Sequence, residues 1–426
     1  MNVDETKSKY VCQLKRLKVT TTRYVACLFL CLLPATLLYG QSGDETVNLL
    51  TSSGFENVGW TEDARERVYV LQNTAYRLNG VGIGEAVDLI REHGMPAGAK
   101  ACRIVIMDNN VPQISLYYKP IVVAGVPTTP QRRDWNVSYD IGDSWQQAHQ
   151  HKENSSLFKV DVAVYPELSL KNLIITQIYQ ALFNLSPAVE VSFWNGMKLT
   201  AQMVFPVYND GYGTYAGRVH PGFITLQQTY RLPYNLWLTG TAGLFNAGRY
   251  GADVKLLHAL QADQRFSFEG RLGLTATYQW QGFDFHYGTK TRFTWSLGAN
   301  FYWPRYNTQV SLKAEQYLLG DKAVRFDIIR HFRYASIGFY AMKGVTSKWE
   351  SVRANGGFRF QVALPPYKYK RKGYIPRVLP SRNMGIAYNA GNEQYYYKGF
   401  RDNAGENIMQ ANSLNPFYIK SELLNF

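Results

Sequence analysis

The sequence predicts an all-β transmembrane protein: an antiparallel β-barrel of about 12–14 strands preceded by a small N-terminal α/β periplasmic domain. The clearest evidence is the stretch Phe266–Trp280, in which every second residue is apolar or aromatic except Gly270, and the residues between are polar or small. Side chains alternate faces along a strand, so this stretch is one strand with an apolar and a hydrophilic face. It exceeds the roughly five or six residues of an ordinary strand and suits the nine to eleven that cross a bilayer.

The same alternation recurs along the region 157–366, which supports a membrane barrel over the alternative, a soluble β-sandwich whose strands have one wet face. Arg292–Trp303 and Gly357–Leu364 repeat the pattern, and short turns such as Asn209–Gly211 separate several of the segments. Only Leu168–Leu185 breaks the rhythm, and it is interpreted as a short helix. Consecutive strands joined by short turns are antiparallel neighbours, and a sheet in lipid must close because lipid cannot satisfy an open edge.

The amino terminus predicts export. Residues 1–41 contain a basic stretch that includes Lys15 and Arg23, followed by the apolar run Val25–Leu38. This run is too short for a membrane-spanning helix, which needs about 20 residues. A cleaved signal peptide is therefore predicted, with an uncleaved anchor as the alternative.

Composition restricts the partners of the exported chain. Three of the four cysteines fall in the predicted signal peptide, so Cys102 is left alone and the mature chain forms no internal disulfide. The net charge is +14 over 426 residues, aromatic residues make up 15%, and mean hydropathy is -0.27. A basic chain favours an acidic partner such as an anionic glycan or a lipid headgroup, and export disfavours nucleic acid.

Residues 44–122 predict the α/β domain. Arg67–Gln72 is typical of a strand, Ile83–Ile90 has helical spacing, and Asp108–Asn110 marks a hairpin turn. The glycine-rich run Gly80–Gly84 lacks the full spacing of a phosphate-binding loop and is interpreted as a plain loop. Residues 123–156 are richer in Pro, Gly, Gln and His, which predicts a linker.

The candidate functional residues are charged side chains on the polar face of the predicted strands. Lys or Arg facing lipid at mid-bilayer costs about 2–4 kcal/mol, so these charges are expected in the lumen, either contacting glycan or forming a structural network of paired charges. They are Glu190, Arg249, Asp253, Glu269, Arg271, Lys313, Glu315, Arg325 and Asp327.

No catalytic residue, metal site or cofactor is predicted. The seven histidines form no HExxH motif and no spaced Cys/His set. Asp284 and His286 share one face of a strand, but without a nucleophile motif such as GxSxG they are interpreted as an incidental surface pair. An outer-membrane enzyme acting on lipid or glycan stays open as an alternative, as does a general porin-like channel.

The C-terminal segment 367–426 is polar and basic. Its basic run contains Lys368, Lys370, Arg371 and Lys372 and is interpreted as a solvated loop, with contact to glycan or lipid headgroups as the alternative. Closure of the barrel is a second role considered for the whole segment.

Several segments carry a resemblance to a known family. They are the strand pair within Ser192–Asp210, the run LFNAGRYGADV at Leu244–Val254, the long run Gln309–Met342, and the strand with its proline exit at Phe358–Pro366. Upstream, RLNGVGIGEAVDLIREHG belongs to the same pattern. The chain resembles the exopolysaccharide biosynthesis family named after YjbH, which includes the capsule-associated GfcD proteins.

The resemblance implies a non-enzymatic outer-membrane barrel that takes part in making or exporting a secreted polysaccharide. The implied partners are that polysaccharide, outer-membrane lipid and other exopolysaccharide-export proteins. Long members of the family carry more than one barrel and module, whereas this chain has room for one of each.

Overall fold

The computed structural model describes residues 43–123, 126–172, 179–214, 216–281, 284–352, 354–362, 370, 376–379, 385–389, 399–407 and 413–425. The predicted signal peptide, residues 1–41, lies outside these ranges. Within them, no helix combines the length and apolar character needed to cross a membrane.

The first unit is a five-stranded sheet flanked by helices. The elements are α1 Gly43–Ser52, β1 Glu56–Glu62, β2 Glu66–Gln72, α2 Asn79–His93, β3 Ala101–Asp108, β4 Val111–Tyr118, the short hairpin β5 Val122–Val123 and β6 Val126–Pro127, β7 Asn136–Ser138, and α3 Trp145–Gln150. The strand order is β1-β2-β3-β4-β7, in which β2 and β3 are parallel and the other neighbours are antiparallel. A crossover helix, α2, connects the parallel pair.

The core of this α/β domain forms where the apolar face of α2 packs on the sheet. Ile83 and Ile90 of α2 and Ile104 and Ile114 of the sheet are all fully buried in one cluster. The predicted linker 123–156 is part of the same domain, because β7 pairs with β4 and α3 packs on β1 and β2. Its polar composition reflects loops between short elements rather than a free connection.

The second unit is one large antiparallel sheet. Within the described residues it has 15 strands: β8 Val160–Asn172, β9 Tyr179–Val191, β10 Met197–Asn209, β11 His220–Leu232, β12 Leu236–Phe245, β13 Arg249–Ala259, β14 Phe266–Gln281, β15 Asp284–Tyr287, β16 Arg292–Trp303, β17 Thr308–Gln316, β18 Lys322–His331, β19 Ala335–Val345, β20 Asn355–Val362, β21 Arg377–Val378 and β22 Gly385–Asn389. In the sheet, β8–β14 and β16–β20 follow one another in chain order. β15 pairs with β14, β22 pairs with β20, and β21 lies parallel to β8.

The prediction of a mostly β chain with long antiparallel strands is confirmed. The helix predicted within Leu168–Leu185 is wrong, because the described residues of that stretch belong to β8 and β9. Ala181, Leu182 and Phe183 of β9 are consecutive apolar residues and break the alternation on which the prediction relied. At the two ends of the sheet, Cα atoms of β22 and β8 approach within 8 Å of each other.

The C-terminal segment contributes to both units. β22 extends the large sheet, residues 399–407 cross its inner face, and the helix α4, Pro416–Asn425, packs against α2 of the α/β domain. Lys370 of the predicted basic run forms an isolated bridge with Tyr76, and its ammonium group lies 5.4 Å from the Tyr76 ring centre. Lys368, Arg371 and Lys372 lie outside the described residues.

Candidate ligand site inside the large sheet

The two faces of the large sheet differ in polarity. On β14, Leu272 and Leu274 are each 54% exposed on one face, whereas Asp253 of the neighbouring β13 is 1% exposed on the other. The nine charged residues predicted for the polar face share the side opposite to these exposed apolar residues. Their burial places them in the interior that the sheet curves around.

The α/β domain covers one end of this interior. The Arg231 guanidinium of β11 donates hydrogen bonds to the backbone oxygens of Pro112 (3.1 Å), Gln113 (2.8 Å) and Tyr139 (2.5 Å). Tyr139 also packs on Trp237 of β12, with ring centres 5.2 Å apart. A cavity of about 1030 Å³ lies at this junction, and one of about 600 Å³ lies deeper inside the sheet.

One cluster of charges lies on β13 and β14. Lys255 and Arg271 stand directly opposite each other in the ladder between these strands. Arg271 binds Asp253 through Nε, at 2.8 and 3.1 Å from the two carboxylate oxygens. Two acids from the C-terminal segment complete the cluster: Asp402 lies 2.6 Å from Lys255 Nζ, and Glu406 lies 2.9 Å from Lys255 Nζ and 3.0 Å from Arg271 Nη1.

A second cluster lies beside the larger cavity. The Arg377 guanidinium contacts Asp161 of β8 and donates to Glu190 Oε2 at 3.1 Å. Glu190 also accepts a 2.6 Å hydrogen bond from the Tyr165 hydroxyl, and Lys198 lies 3.9 Å away. This predicted site residue is therefore held in a network of paired charges.

A third cluster lies on β14, β17 and β18. Lys313 contacts Glu269 across Gly298, where an added Cβ would lie 2.8 Å from the Glu269 side chain. Arg325 binds Asp327 on its own strand at 2.6 and 2.7 Å. The carboxylates that compensate these two cations both come from the sheet itself.

Two further predicted residues have separate partners. Glu315 accepts a 2.5 Å hydrogen bond from the Tyr317 hydroxyl. Arg249 donates to the Thr275 hydroxyl at 3.1 Å and to the Thr275 carbonyl at 2.6 Å. The predicted residues thus form several local networks rather than one continuous track of charge.

The prediction from sequence missed part of these clusters. Lys255 has the same parity on β13 as Asp253, so the alternation itself was a signal that identified it as inward-facing. Asp402, Glu406 and Arg377 are in the C-terminal segment and follow no strand pattern, so their positions depend on tertiary contacts that the sequence does not show.

The C-terminal helix α4 is anchored to the α/β domain by a buried carboxylate. Glu422 is 6% exposed and accepts a 2.8 Å hydrogen bond from the backbone N–H of Gly80, near the start of α2. Burial raises the pKa of Glu422 to about 7, against the lowering effects of the Tyr418 hydroxyl, the Gly80 N–H and Arg77. This contact joins the C-terminal segment to the amino end of a helix, where orphan N–H groups favour carboxylates.

The glycine-rich run Gly80–Gly84 is not the plain loop that the sequence suggested. It lies in the first turns of α2, where a Cβ at Gly80 would be 2.1 Å from Glu422 and a Cβ at Gly82 would be 2.5 Å from Asn73. The glycines therefore allow neighbouring side chains to approach the helix backbone closely.

Two observations on the described part of the chain concern metal ligands and the Asp284–His286 pair. No group of three or more His, Cys, Asp or Glu residues there is arranged to hold a metal ion. Asp284 and His286 lie on the four-residue strand β15, where every residue is exposed.

Comparisons with known proteins add little. No family model and no curated protein matches the chain. Among solved structures, the chain is similar to a loop L8 deletion mutant of OmpT, an outer membrane protein of Vibrio cholerae, with a TM-score of 0.29, 7% identity, and coverage of 47% of this chain and 86% of that chain. A likeness of this extent supports no conclusion about fold or function.

Proposed function

We propose that this chain is an outer-membrane β-barrel that acts in the export or anchoring of an exopolysaccharide, with the α/β domain on the periplasmic side. The observation that carries the membrane assignment is the inversion of polarity in the large sheet. Leu297 is 64% exposed and Phe339 60%, whereas Asp253 and Asp327 are 1% and 4% exposed. An outward apolar face around a charged interior is stable in lipid and costly in water.

Closure of the sheet into a barrel belongs to this proposal. The approach of β22 to β8 brings the two ends of the meander together, and a bilayer requires that no edge stay open. The turn between β11 and β12 contains Asn235, which accepts at 3.2 Å from the Arg231 guanidinium that also binds the α/β domain. The turn between β13 and β14 contains Gln264, which accepts from the Tyr139 N–H at 3.0 Å. Both short turns therefore lie at the end of the sheet that the α/β domain covers. Short turns are typical of the periplasmic end of such barrels.

A polysaccharide partner is supported by the sequence resemblance and by the interior. The 600 Å³ cavity is lined by six Lys or Arg side chains and four acids, and this excess of positive charge suits an anionic polymer. The segment 399–407 crosses this interior, since Arg401 lies 3.1 Å from Glu167 of β8 and Asp402 lies beside Lys255 of β13. An occupied interior favours a guided or anchored polymer over free passage of small solutes.

The test has two parts, one for the barrel and one for the glycan. The mature chain is expected in the outer-membrane fraction, and its gel mobility should change on boiling because a folded barrel resists detergent. A strain that lacks the gene should release less exopolysaccharide, and the wild-type gene should restore it. A soluble protein without the mobility change contradicts the membrane assignment, and unaltered exopolysaccharide in the deletion strain contradicts the glycan role.

A further inference from the structure

We propose that Lys255 and Arg271 form a binding site for the carboxylates of an acidic, uronate-type glycan, and that Asp402 and Glu406 occupy this site as an internal mimic of that ligand. The glycan as the source of the carboxylates rests on the proposed function, whereas the anion site rests on the geometry alone. Residues 399–407, which contain these two acids, then occupy the site until the ligand displaces them.

The register of β13 and β14 places two cations next to each other. Lys255 and Arg271 are directly opposite each other, and like charges at opposite positions of a ladder repel. Asp253 compensates Arg271, but the carboxylates within 3 Å of Lys255 Nζ are those of Asp402 and Glu406. The sheet alone therefore presents an excess of positive charge at this point.

The cluster on β17 and β18 differs from this one in the origin of its carboxylates. Lys313 and Arg325 are also directly opposite each other. Their carboxylate partners, Glu269 and Asp327, both belong to strands of the sheet. That pair is neutralised permanently, whereas neutralisation at Lys255 and Arg271 depends on a separate segment.

Aromatic contacts hold residues 399–407 against the sheet. The Phe400 ring stacks on Phe245, with centres 5.4 Å apart, and the Arg271 guanidinium lies 4.9 Å from the centre of the Phe400 ring. Gly273 leaves room for this ring, because a Cβ there would lie 2.8 Å from Phe400. An aromatic ring beside two carboxylates presents an apolar face and acidic groups, the two features by which a uronate polymer is recognised.

The cavity beside Lys255 and Arg271 provides room for a ligand. The 600 Å³ cavity is lined by Lys255, Arg271 and Phe400, so a ligand in it would meet the cations and the segment together. A ligand that binds only when the segment has left has its apparent affinity reduced by the fraction of molecules in the open state. Weakening the hold of the segment should therefore increase affinity without any new contact to the ligand.

The experiment measures binding of fluorescently labelled oligogalacturonate to the full mature chain folded in detergent, with neutral maltodextrin as the uncharged comparison. The double variant Asp402→Asn/Glu406→Gln is expected to bind oligogalacturonate at least about tenfold more tightly than the wild type, with maltodextrin binding unchanged. Adding Lys255→Gln to this variant should remove the gain. Asp263→Asn is the matched control, since Asp263 is an acid paired with Arg265 in a turn outside the interior.

Three results would overturn the inference: equal affinity of the double variant and the wild type, an equal gain for maltodextrin, or a gain that survives Lys255→Gln. Amide hydrogen exchange in the wild type provides a test that does not depend on variant folding. Saturating oligogalacturonate should accelerate exchange in residues 399–407, and unchanged exchange up to the highest soluble concentration contradicts displacement. If the deletion strain releases less exopolysaccharide but the chain does not bind oligogalacturonate, the inference is wrong and the proposed function stands. If the chain binds oligogalacturonate but the deletion strain releases a normal amount of exopolysaccharide, the anion site stands and the proposed function is wrong.

Discussion

The α/β domain and the large sheet distribute the same residue types in opposite ways. In the α/β domain, Leu50, Ile83 and Ile104 are fully buried, and salt bridges such as that between Arg91 and Glu92 lie on the surface. In the sheet, Leu272 is 54% exposed and Asp253 1%. One chain therefore contains a domain with an apolar interior and a sheet with an apolar outer face, which under the proposed function contacts lipid.

This difference shows that burial alone does not identify a core. In the α/β domain, the interior is apolar and the hydrophobic effect stabilises it. In the sheet, the interior is rich in paired charges, and a buried pair is weak evidence for stability because desolvation offsets much of its attraction. Stability of the sheet is then expected to depend on its hydrogen-bonded ladders and on the medium outside.

The largest expected effect comes from breaking the charge cluster inside the sheet. Arg271→Ala leaves the buried Asp253 carboxylate without the Nε donor that bonds both of its oxygens, and removing one member of a buried pair costs about 3–5 kcal/mol. The free energy of unfolding in detergent micelles, measured by denaturant titration, should fall by that amount. Arg265→Ala, which removes an arginine from an exposed pair in a turn, is the control and should change it by less than about 1 kcal/mol. Similar losses in the two variants would mean that the interior pairs are solvated like surface pairs.

The next effect tests the outer face directly. Leu272→Arg places a cation at the middle of β14, where it costs about 2–4 kcal/mol if that face contacts the bilayer centre. Leu319→Arg is the matched control, because Leu319 is 52% exposed but lies in the turn between β17 and β18. Its cost should stay within about 0.5 kcal/mol. Folding into lipid vesicles followed by denaturant titration measures both, and equal costs would indicate that water contacts both leucines.

The sequence predicted the strands well where apolar and polar residues alternate, and poorly where the alternation is interrupted. Period-two alternation identified β14 almost residue for residue, since the predicted Phe266–Trp280 becomes Phe266–Gln281. The same alternation placed Glu269 and Arg271 on the inner face. Within Leu168–Leu185, Ala181, Leu182 and Phe183 are consecutive apolar residues, so the alternation failed there and a helix was predicted.

The contacts of the C-terminal segment could not be predicted from the sequence, because they join residues that are far apart in the chain. Asp402 and Glu406 make contacts with Lys255 and Arg271 that are more than a hundred residues distant in the chain. Gly80 is similarly explained only by Glu422, whose side chain would collide with a Cβ at that position. Local periodicity reports neighbours on one element and contains no information on which distant segment completes a cluster.

A pH-dependent contribution is expected from Glu422, where the C-terminal helix meets the α/β domain. Burial raises its pKa to about 7 from an ordinary 4.5, so the folded chain binds this proton more tightly than the unfolded chain. The contribution is fully present below about pH 4.5 and is lost as pH rises through 7, with a total of up to about 3 kcal/mol. His149 acts in the opposite direction, because burial lowers its pKa to about 4 and stability then falls with acid below about pH 6.5.

The variant Glu422→Gln isolates the first effect, since His149 and all other groups are common to both proteins. Near pH 4.5 the two proteins should have similar stability in the α/β domain, and by pH 8 the variant should be more stable because its amide carries no buried charge. Urea unfolding followed by tryptophan fluorescence at several pH values measures the difference. A difference that does not change with pH would show that the Glu422 carboxyl titrates normally.

The smallest expected effect, and the one that separates the two regions most cleanly, is at Cys102. This residue of β3 is fully buried in the α/β core, and burial raises the pKa of its thiol, so the reactive thiolate is scarce. In the native mature chain at neutral pH, a maleimide should leave Cys102 unmodified. In urea, labelling should follow unfolding of the α/β domain, while the large sheet keeps the gel mobility that the proposed barrel predicts. The reason is that an apolar core in water and a sheet that contacts lipid, as proposed, lose their stabilisation under different conditions. Labelling that begins only when the sheet also unfolds would mean that the two regions form one cooperative unit, coupled through contacts such as those of Arg231 with Pro112 and Gln113.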